Sequence, residues 1–214
     1  VALITYGSTQ LSDGSRKGGA VAADGPHTPR GQFILPYGHL SPIHGSTVAR
    51  FENEIKGHMA IQRQCGGHRT LVSADGVSAD LHTITTYHGP GVLMSDLTGM
   101  YEGVMLICNT PVDDGTTKVW HALMVRSPSK SKVATKTDAV EAAHFQEMAL
   151  TAFVQDIEVW NHKAPCINGL FIPSDGAFVK ARIWYKQFFN PRAKKQEYLD
   201  QAEGVYVPRG IPPY

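Results

Sequence analysis

Four segments between residues 81 and 126 read LHTITTYHG (81–89), GVLMSDL (91–97), GVMLICNTPV (103–112) and TKVWHALMVR (117–126). They are rich in valine, isoleucine, threonine and aromatic residues, which is typical of β-strands, and in the first segment Leu81, Thr83 and Thr85 alternate with His82, Ile84 and Thr86. Asp114 and Gly115, between the last two segments, predict a two-residue hairpin turn. Short turns of this kind predict an antiparallel meander within a strand-forming region that covers residues 69–126.

A long amphipathic helix is expected to follow the sheet. Its apolar residues recur at spacings of three and four, at Phe145, Met148, Ala149, Ala152, Phe153, Ile157 and Trp160. Thr137 or Asp138 is expected to cap the start of this helix, and Pro165 to end it. A second helix is expected over roughly residues 176–189. A meander followed by one long helix predicts an α+β fold in which the helix covers one face of the sheet.

The two ends of the chain show less pattern. Residues 1–31 are rich in glycine, serine, threonine and alanine without a regular period, and we expect a loop-like arm. The tail over residues 191–214 has four prolines and little periodicity. We therefore predict an arm over 1–35, a main domain over 36–190 and a C-terminal tail over 191–214.

Composition excludes several classes of function. The chain has 214 residues with 20 basic and 19 acidic side chains, a net charge of +1, which argues against a nucleic-acid partner. No run approaches 18 apolar residues, so no membrane span is expected. Three cysteines without a C-x-x-C pair argue against a disulfide scaffold or zinc ribbon and favour a cytoplasmic setting. Because the first residue is valine, we expect a processed, trimmed or partial chain.

Three residues are candidate metal ligands. His39 and His44 form an H-x4-H pattern around Pro42, and Asp156 lies on the apolar stripe of the long helix. Two imidazoles and one carboxylate with open positions form the facial triad of non-haem Fe(II) oxygenases. Spacing alone leaves two alternatives open: the histidine pair can be accidental, and Asp156 can reach solvent from the margin of the stripe.

Three segments resemble a known family in the same order along the chain. The segment GHLSPIHGSTVARFENEIKGH (38–58) resembles the iron-ligand segment of Rieske-type ring-hydroxylating oxygenases, especially of the 3-ketosteroid 9α-hydroxylase oxygenase component. YHGPGVLMSDLTG (87–99) with CNTPVDDG (108–115) is the second match, and FVQDIEVWNHK (153–163) with IWYKQFFN (183–190) is the third. Together the matches span roughly residues 36–190.

This resemblance implies a fold and a function. The fold is a helix-grip domain of the START/Bet v 1-like kind, a curved antiparallel sheet wrapped round a long C-terminal helix. The function is hydroxylation of a bulky apolar substrate, steroid-like or aromatic, with O2 at a mononuclear Fe(II). Metal ligands would be His39, His44 and Asp156, the last also as a catalytic residue. A ferredoxin-type reductase and a homo-oligomer, a trimer, are implied as partners. Apolar candidates for the cavity wall are Val92, Met94, Met105, Ile107, Phe145 and Met148.

Two departures from the family pattern matter. A [2Fe–2S] Rieske cluster needs C-x-H followed later by C-x-x-H, and this sequence lacks that pair, so the cluster is expected in a missing domain or a partner. Pro36 stands where the family usually has an aspartate that bridges to a neighbouring subunit's cluster. These departures keep an alternative open, a non-catalytic helix-grip module that binds an apolar ligand.

Several histidines and tryptophans are expected to have structural roles or to lie on the surface, without a part in catalysis. His58 is expected to be structural or on the surface. His88 and His121 are expected in strands with their rings toward solvent. The tryptophans, by contrast, are expected in the core, at Trp120, Trp160 and Trp184.

Overall fold

A computed structural model of the chain describes residues 2–12, 49–72, 78–99, 101–113, 116–127, 132–161, 177–189 and 191–214. Its strands are β1 (Ala2–Ser12), β2 (Arg50–Lys56), β3 (Met59–Val72), β4 (Ser78–His88), β5 (Val92–Gly99), β6 (Gly103–Pro111), β7 (Thr116–Val125) and β8 (Gly204–Tyr206). They form one eight-stranded sheet in the order β1-β7-β6-β5-β4-β3-β2-β8. Every neighbouring pair is antiparallel, which confirms the predicted meander. The predicted turn at Asp114 and Gly115 lies outside the described residues.

Both predicted helices are present. The helices are α1 (Lys136–Asn161), α2 (Phe178–Lys186) and α3 (Lys195–Ala202), with a short 3-10 helix (Arg192–Lys194) before α3. Helix α1 is the long amphipathic helix, and α2 is the helix expected near residues 176–189. Pro165, the expected end of α1, lies outside the described residues.

The sheet has one buried and one exposed face. Along β5, Leu93, Ser95 and Leu97 are buried, whereas the alternate residues Val92 and Met94 are exposed. This alternation follows from the two-residue period of a strand. We call the buried side the inner face and the opposite side the outer face.

Helices cover the inner face and close the core. One cluster of buried residues joins sheet and helices: Ile55, Ala60, Tyr87, Leu93, Ile107, Val119, Phe153, Trp184, Tyr185 and Ala202. A second cluster places Ala142 of α1 against Leu97, Leu123 and Val125, with Phe145 and Ala149 packed on it. The long helix therefore lies on an antiparallel sheet, which confirms the predicted α+β helix-grip fold.

The loop expected over residues 1–31 is wrong for Ala2–Ser12, which form edge strand β1. This strand pairs with β7, and its register shifts between Tyr6 and Thr9. A shift of this kind breaks the two-residue period that would reveal a strand in the sequence. Hydrogen bonding to a distant strand decides the conformation here.

The patternless tail expected over residues 191–214 also needs correction. It contains the 3-10 helix, helix α3 and strand β8, which pairs with β2 through Glu54 and Val205. Leu199 and Ala202 of α3 are buried. A short helix between prolines buries too few residues to show a clear period, so only packing reveals it.

Helix α1 is capped by Thr135 and not by Thr137 or Asp138, the two residues proposed from the sequence. Thr135 Oγ1 accepts a hydrogen bond from the Asp138 backbone N–H at 3.2 Å. In return, the Asp138 carboxylate accepts from the Thr135 backbone N–H at 2.7 Å. This reciprocal pair is a capping box. Asp138 is buried and also accepts a hydrogen bond from the Ser127 hydroxyl at 2.6 Å, which ties the helix start to the end of β7.

Replacing Thr135 with Ala is expected to lower the free energy of unfolding by about 1 kcal/mol, because the N-cap acceptor is lost. The matched control Thr137→Ala, at an exposed helical position, is expected to change it by less than about 0.5 kcal/mol. Urea denaturation followed by circular dichroism measures both. Equal losses in the two variants would contradict the assigned cap.

Candidate functional site

Part of the inner face is polar. Gln62, Gln64, Thr83, Thr85 and Ser95 are all buried, with Ser95 1% exposed. Across the strands, Gln62 of β3 is opposite Thr85 of β4, which is opposite Ser95 of β5. We call these five residues the inner polar band.

Four of the five residues of the band bond to one another in pairs. The hydroxyls of Thr85 and Ser95 are 2.7 Å apart, and Gln62 Nε2 donates to Gln64 Oε1 at 2.8 Å. Such bonds offset the cost of burying polar groups away from water. An apolar interior that carries a few fixed polar groups is typical of a small-molecule site.

A second polar pair links the sheet to α1. Gln146 Nε2 lies 3.0 Å from His121 Nδ1, and the His121 ring centroid is 5.7 Å from that of Phe153. Gln146 is 0% exposed and His121 4%. The prediction that the His121 ring faces solvent is therefore wrong. It is buried because it shares the inner face of β7 with Val119 and Leu123.

Trp120, next to His121, was expected in the core, and this prediction is wrong. It is 45% exposed on the outer face, with Lys118 Nζ 4.7 Å from the centre of its ring, and is not a core residue. Trp184 of α2 is 0% exposed and confirms its predicted place in the core. The side chain of Trp160 lies outside the described residues.

The apolar residues proposed for a cavity wall are divided between the two faces. Ile107 is buried in the first core cluster, and Met105 and Phe145 pack on the clusters of the inner face. Met148 is partly exposed. Val92 and Met94 are 38% and 36% exposed on the outer face, so these two candidates do not line an inner wall.

The turn between β2 and β3 is held by two helices. Trp184 Nε1 and Gln187 Nε2 both donate to the Gly57 carbonyl at 3.1 Å, and the Gly57 N–H donates to Glu203 at 2.8 Å. Gly57 has φ +56°, which favours glycine. His58, the next residue, is exposed, as expected for a surface histidine. Sequence reasoning missed this hairpin, because only Phe51 and Ile55 of β2 are apolar and three polar residues stand between them.

A small pocket lies between this hairpin and α2. Its volume is about 30 Å³, and its lining includes Ala60, Tyr87 and Phe178. Burial raises the pKa of Tyr87, so its phenol stays protonated at neutral pH. The pocket holds a water-sized group, which makes it no candidate for a bulky substrate.

The three predicted iron ligands are not tested by the structure. His39 and His44 lie outside the described residues, as does Pro36, and only the helical backbone of Asp156 is described. Among the residues that are described, no three His, Cys, Asp or Glu side chains come together as a possible metal site. The iron-ligand assignment stays a prediction.

Cys65 begins a lone C-x-x-H that sequence reasoning passed over. It is buried in β3, and its Sγ lies 3.5 Å from His82 Nε2. Burial raises the pKa of the Cys65 thiol, which disfavours the thiolate needed to bind a metal. These 214 residues contain no C-x-H, so they do not supply both halves of the cluster-ligand pair.

The sheet and the helix packed on its buried inner face define a helix-grip domain. A family model described as 3-ketosteroid 9α-hydroxylase C-terminal domain matches residues 35–189. The chain belongs to this family, and the resemblance to the catalytic domain of Rieske-type oxygenases is confirmed.

Curated relatives support the same family. The chain is 29% identical over 194 residues to a 3-ketosteroid-9-alpha-monooxygenase oxygenase component of Rhodococcus rhodochrous, covering 86% of this chain and 49% of the relative. It is 30% identical over 164 residues to the protein of the same description in Mycobacterium tuberculosis, covering 73% and 42%. The chain thus spans about half the length, or less, of these relatives.

A solved structure shows the same fold. The Pseudomonas putida CBB5 NdmA QL mutant with theobromine matches 96% of this chain and 56% of its own, with a TM-score of 0.51 and 11% identity. At this identity the likeness concerns the fold alone. Within the described part of the chain, no helix has the length and hydropathy needed to cross a membrane.

Replacing Thr85 with Val is expected to lower the free energy of unfolding by about 1–3 kcal/mol, because the buried Ser95 hydroxyl loses its partner. The double variant Thr85→Val with Ser95→Ala is expected to recover most of that loss, since no buried hydroxyl is then left over. Exposed Thr98→Val is the control. The single variant Ser95→Ala completes the double-mutant cycle. Urea denaturation measures all four variants, and a loss in the double variant equal to the sum of the two single losses would show that the two hydroxyls are not coupled.

Proposed function

We propose that this chain is the catalytic domain of an oxygenase that hydroxylates a bulky apolar substrate, steroid-like or aromatic, with O2 at a mononuclear Fe(II). The match of residues 35–189 to the 3-ketosteroid 9α-hydroxylase C-terminal domain carries this proposal. The names of the Rhodococcus and Mycobacterium relatives favour a steroid as the substrate class.

The proposed iron ligands are His39, His44 and Asp156. Two neutral imidazoles and a carboxylate suit Fe(II) and leave positions open. The helical phase of α1 supports Asp156, because seven residues separate it from Ala149, which packs on the second core cluster. Two turns of a helix place both positions on nearly the same face. Iron bound there would supply the activation of O2.

The residues of the chain would bind and orient the substrate. The two apolar clusters of the inner face exclude water from the space between sheet and α1. The inner polar band offers hydroxyl and amide groups at fixed positions, so a ring system with one polar substituent would have a preferred orientation there.

Electrons would come from outside this sequence. A [2Fe–2S] Rieske cluster needs a ligand pair that these 214 residues lack, so other residues must hold it. A ferredoxin-type reductase would reduce that cluster. Trimeric assembly and a cytoplasmic location belong to this proposal.

The alternative function is a helix-grip module that binds an apolar ligand without redox chemistry. Pro36 favours it, because proline has no side-chain group to accept a hydrogen bond or relay an electron at the position of the family's aspartate. Iron binding separates the two functions.

Anaerobic reconstitution of the purified chain is expected to give about one Fe(II) per chain, and Asp156→Ala is expected to abolish this stoichiometric binding. Removing the carboxylate leaves two neutral ligands that do not neutralise the charge of the metal. Exposed Asp96→Ala is the matched control and is expected to keep its iron. Metal analysis after gel filtration measures all three proteins. Full iron occupancy in Asp156→Ala would show that the ligand set is wrong.

The purified chain with Fe(II), NADH, a ferredoxin-type reductase and 5α-androstan-17β-ol is expected to give no catalytic hydroxylation. The reason is distance, since no cluster bound by these residues relays electrons to the iron. Hydrogen peroxide in place of NADH is expected to give at most a single turnover, because it supplies both oxygen and electrons. Product analysis by mass spectrometry measures both reactions, and multiple NADH-driven turnovers by this chain alone would contradict the proposed division of labour.

A further inference from the structure

We infer that Gln146 and His121 form a polar anchor that binds a hydroxyl group of the substrate. The inference rests on the proposed function, since it names the substrate class of the same space between the sheet and α1. The anchored ligand is a rigid, apolar polycyclic alcohol.

Gln146 is a buried polar residue on the apolar face of α1. It lies on the same face of α1 as Ala142 and Phe153, which are 2% and 4% exposed, and is itself 0% exposed. An amide at this position is directed into the interior with apolar neighbours on both adjoining turns. Aliphatic residues would be expected here on packing grounds alone.

The two ends of the Gln146 amide differ in their hydrogen bonding. Gln146 Nε2 donates to His121 Nδ1 at 3.0 Å, which uses one end of the amide. The other end, Gln146 Oε1, is buried and has no hydrogen-bond partner among the described residues. A buried acceptor without a donor is costly, and a ligand hydroxyl is a donor that would satisfy it.

The surroundings of Gln146 and His121 are apolar. His121 lies opposite Ile107 in the sheet, and the Phe153 ring is 5.7 Å from the imidazole. By contrast, the glutamines of the inner polar band bond to each other. An exposed acceptor discriminates little between ligands, whereas an acceptor in an apolar interior strongly favours the ligand that donates to it.

Helix geometry limits the length of the ligand. Gln146 and Asp156 are ten residues apart on α1, which corresponds to about 15 Å along the helix axis. A ligand that reached from the anchor to a reaction centre near Asp156 would be on the order of 10 Å long, after a hydrogen bond at one end is allowed for. Several fused rings have this length, and a single ring does not.

The test compares ligands that differ by one hydroxyl. The probes are 5α-androstan-3β-ol, 5α-androstan-17β-ol and the parent 5α-androstane, titrated against the purified 214-residue chain by equilibrium dialysis. At least one alcohol is expected to bind about 10-fold or more tightly than the alkane. Equal dissociation constants for all three would overturn the anchor whether or not any variant folds.

Gln146→Met is the decisive variant, because it keeps the side-chain length and removes the acceptor. The preference for the alcohol is expected to fall to about 1-fold, while the affinity for the alkane stays within about 3-fold of the original. Gln196→Met, at an exposed position on α3, is the matched control and is expected to keep the preference. An unchanged preference in folded Gln146→Met would overturn the anchor and point to a trapped water on Gln146 Oε1.

Iron content of the same proteins separates this inference from the proposed function. Gln146→Met is expected to retain stoichiometric Fe(II), since the amide is not among the proposed ligands. If the wild-type chain binds no iron but shows the Gln146-dependent preference, the anchor stands and the oxygenase proposal fails. If iron binds and the preference does not depend on Gln146, the anchor fails and the oxygenase proposal stands.

Discussion

Packing of α1 against the inner face of the antiparallel sheet is the contact on which the rest of the structure depends. Neither partner is stable alone, because the sheet would expose one apolar face and the helix one apolar stripe. Ala142, Phe145 and Phe153 of α1 meet Leu123 and Ile107 of the sheet within the two core clusters. Once these layers meet, the polar groups between them are cut off from water, and each of them needs a partner.

That requirement organises the interior. The hydroxyls of Thr85 and Ser95 bond each other, and the buried Asp138 carboxylate bonds the start of α1 to the end of β7. These groups give the interior a fixed polar pattern within apolar walls. Their mutual hydrogen bonds offset the cost of burying them.

The family assignment and the polar groups of the interior give two independent kinds of information. Similarity over residues 35–189 identifies the kind of domain, whereas the position of Gln146 indicates which ligands the interior prefers. The chain spans about half the length of the Rhodococcus relative, so the activity of a whole oxygenase belongs to the proposal. The proposed iron binding and ligand selectivity both concern this domain and can be measured on it directly.

The sequence by itself determined the meander of β4 to β7, the long helix and the family, because strand and helix periods and short motifs are local features. The sequence did not determine which of the two alternating sets of residues in β7 faces inward. His121 and Trp120 were therefore assigned to the wrong faces of the sheet. Strand β1 and the Thr135 cap were missed for related reasons: one depends on pairing with a distant strand, and the other on which turn α1 begins. Tertiary packing decided these points, because burial, register and helix ends are set by partners far away in the chain.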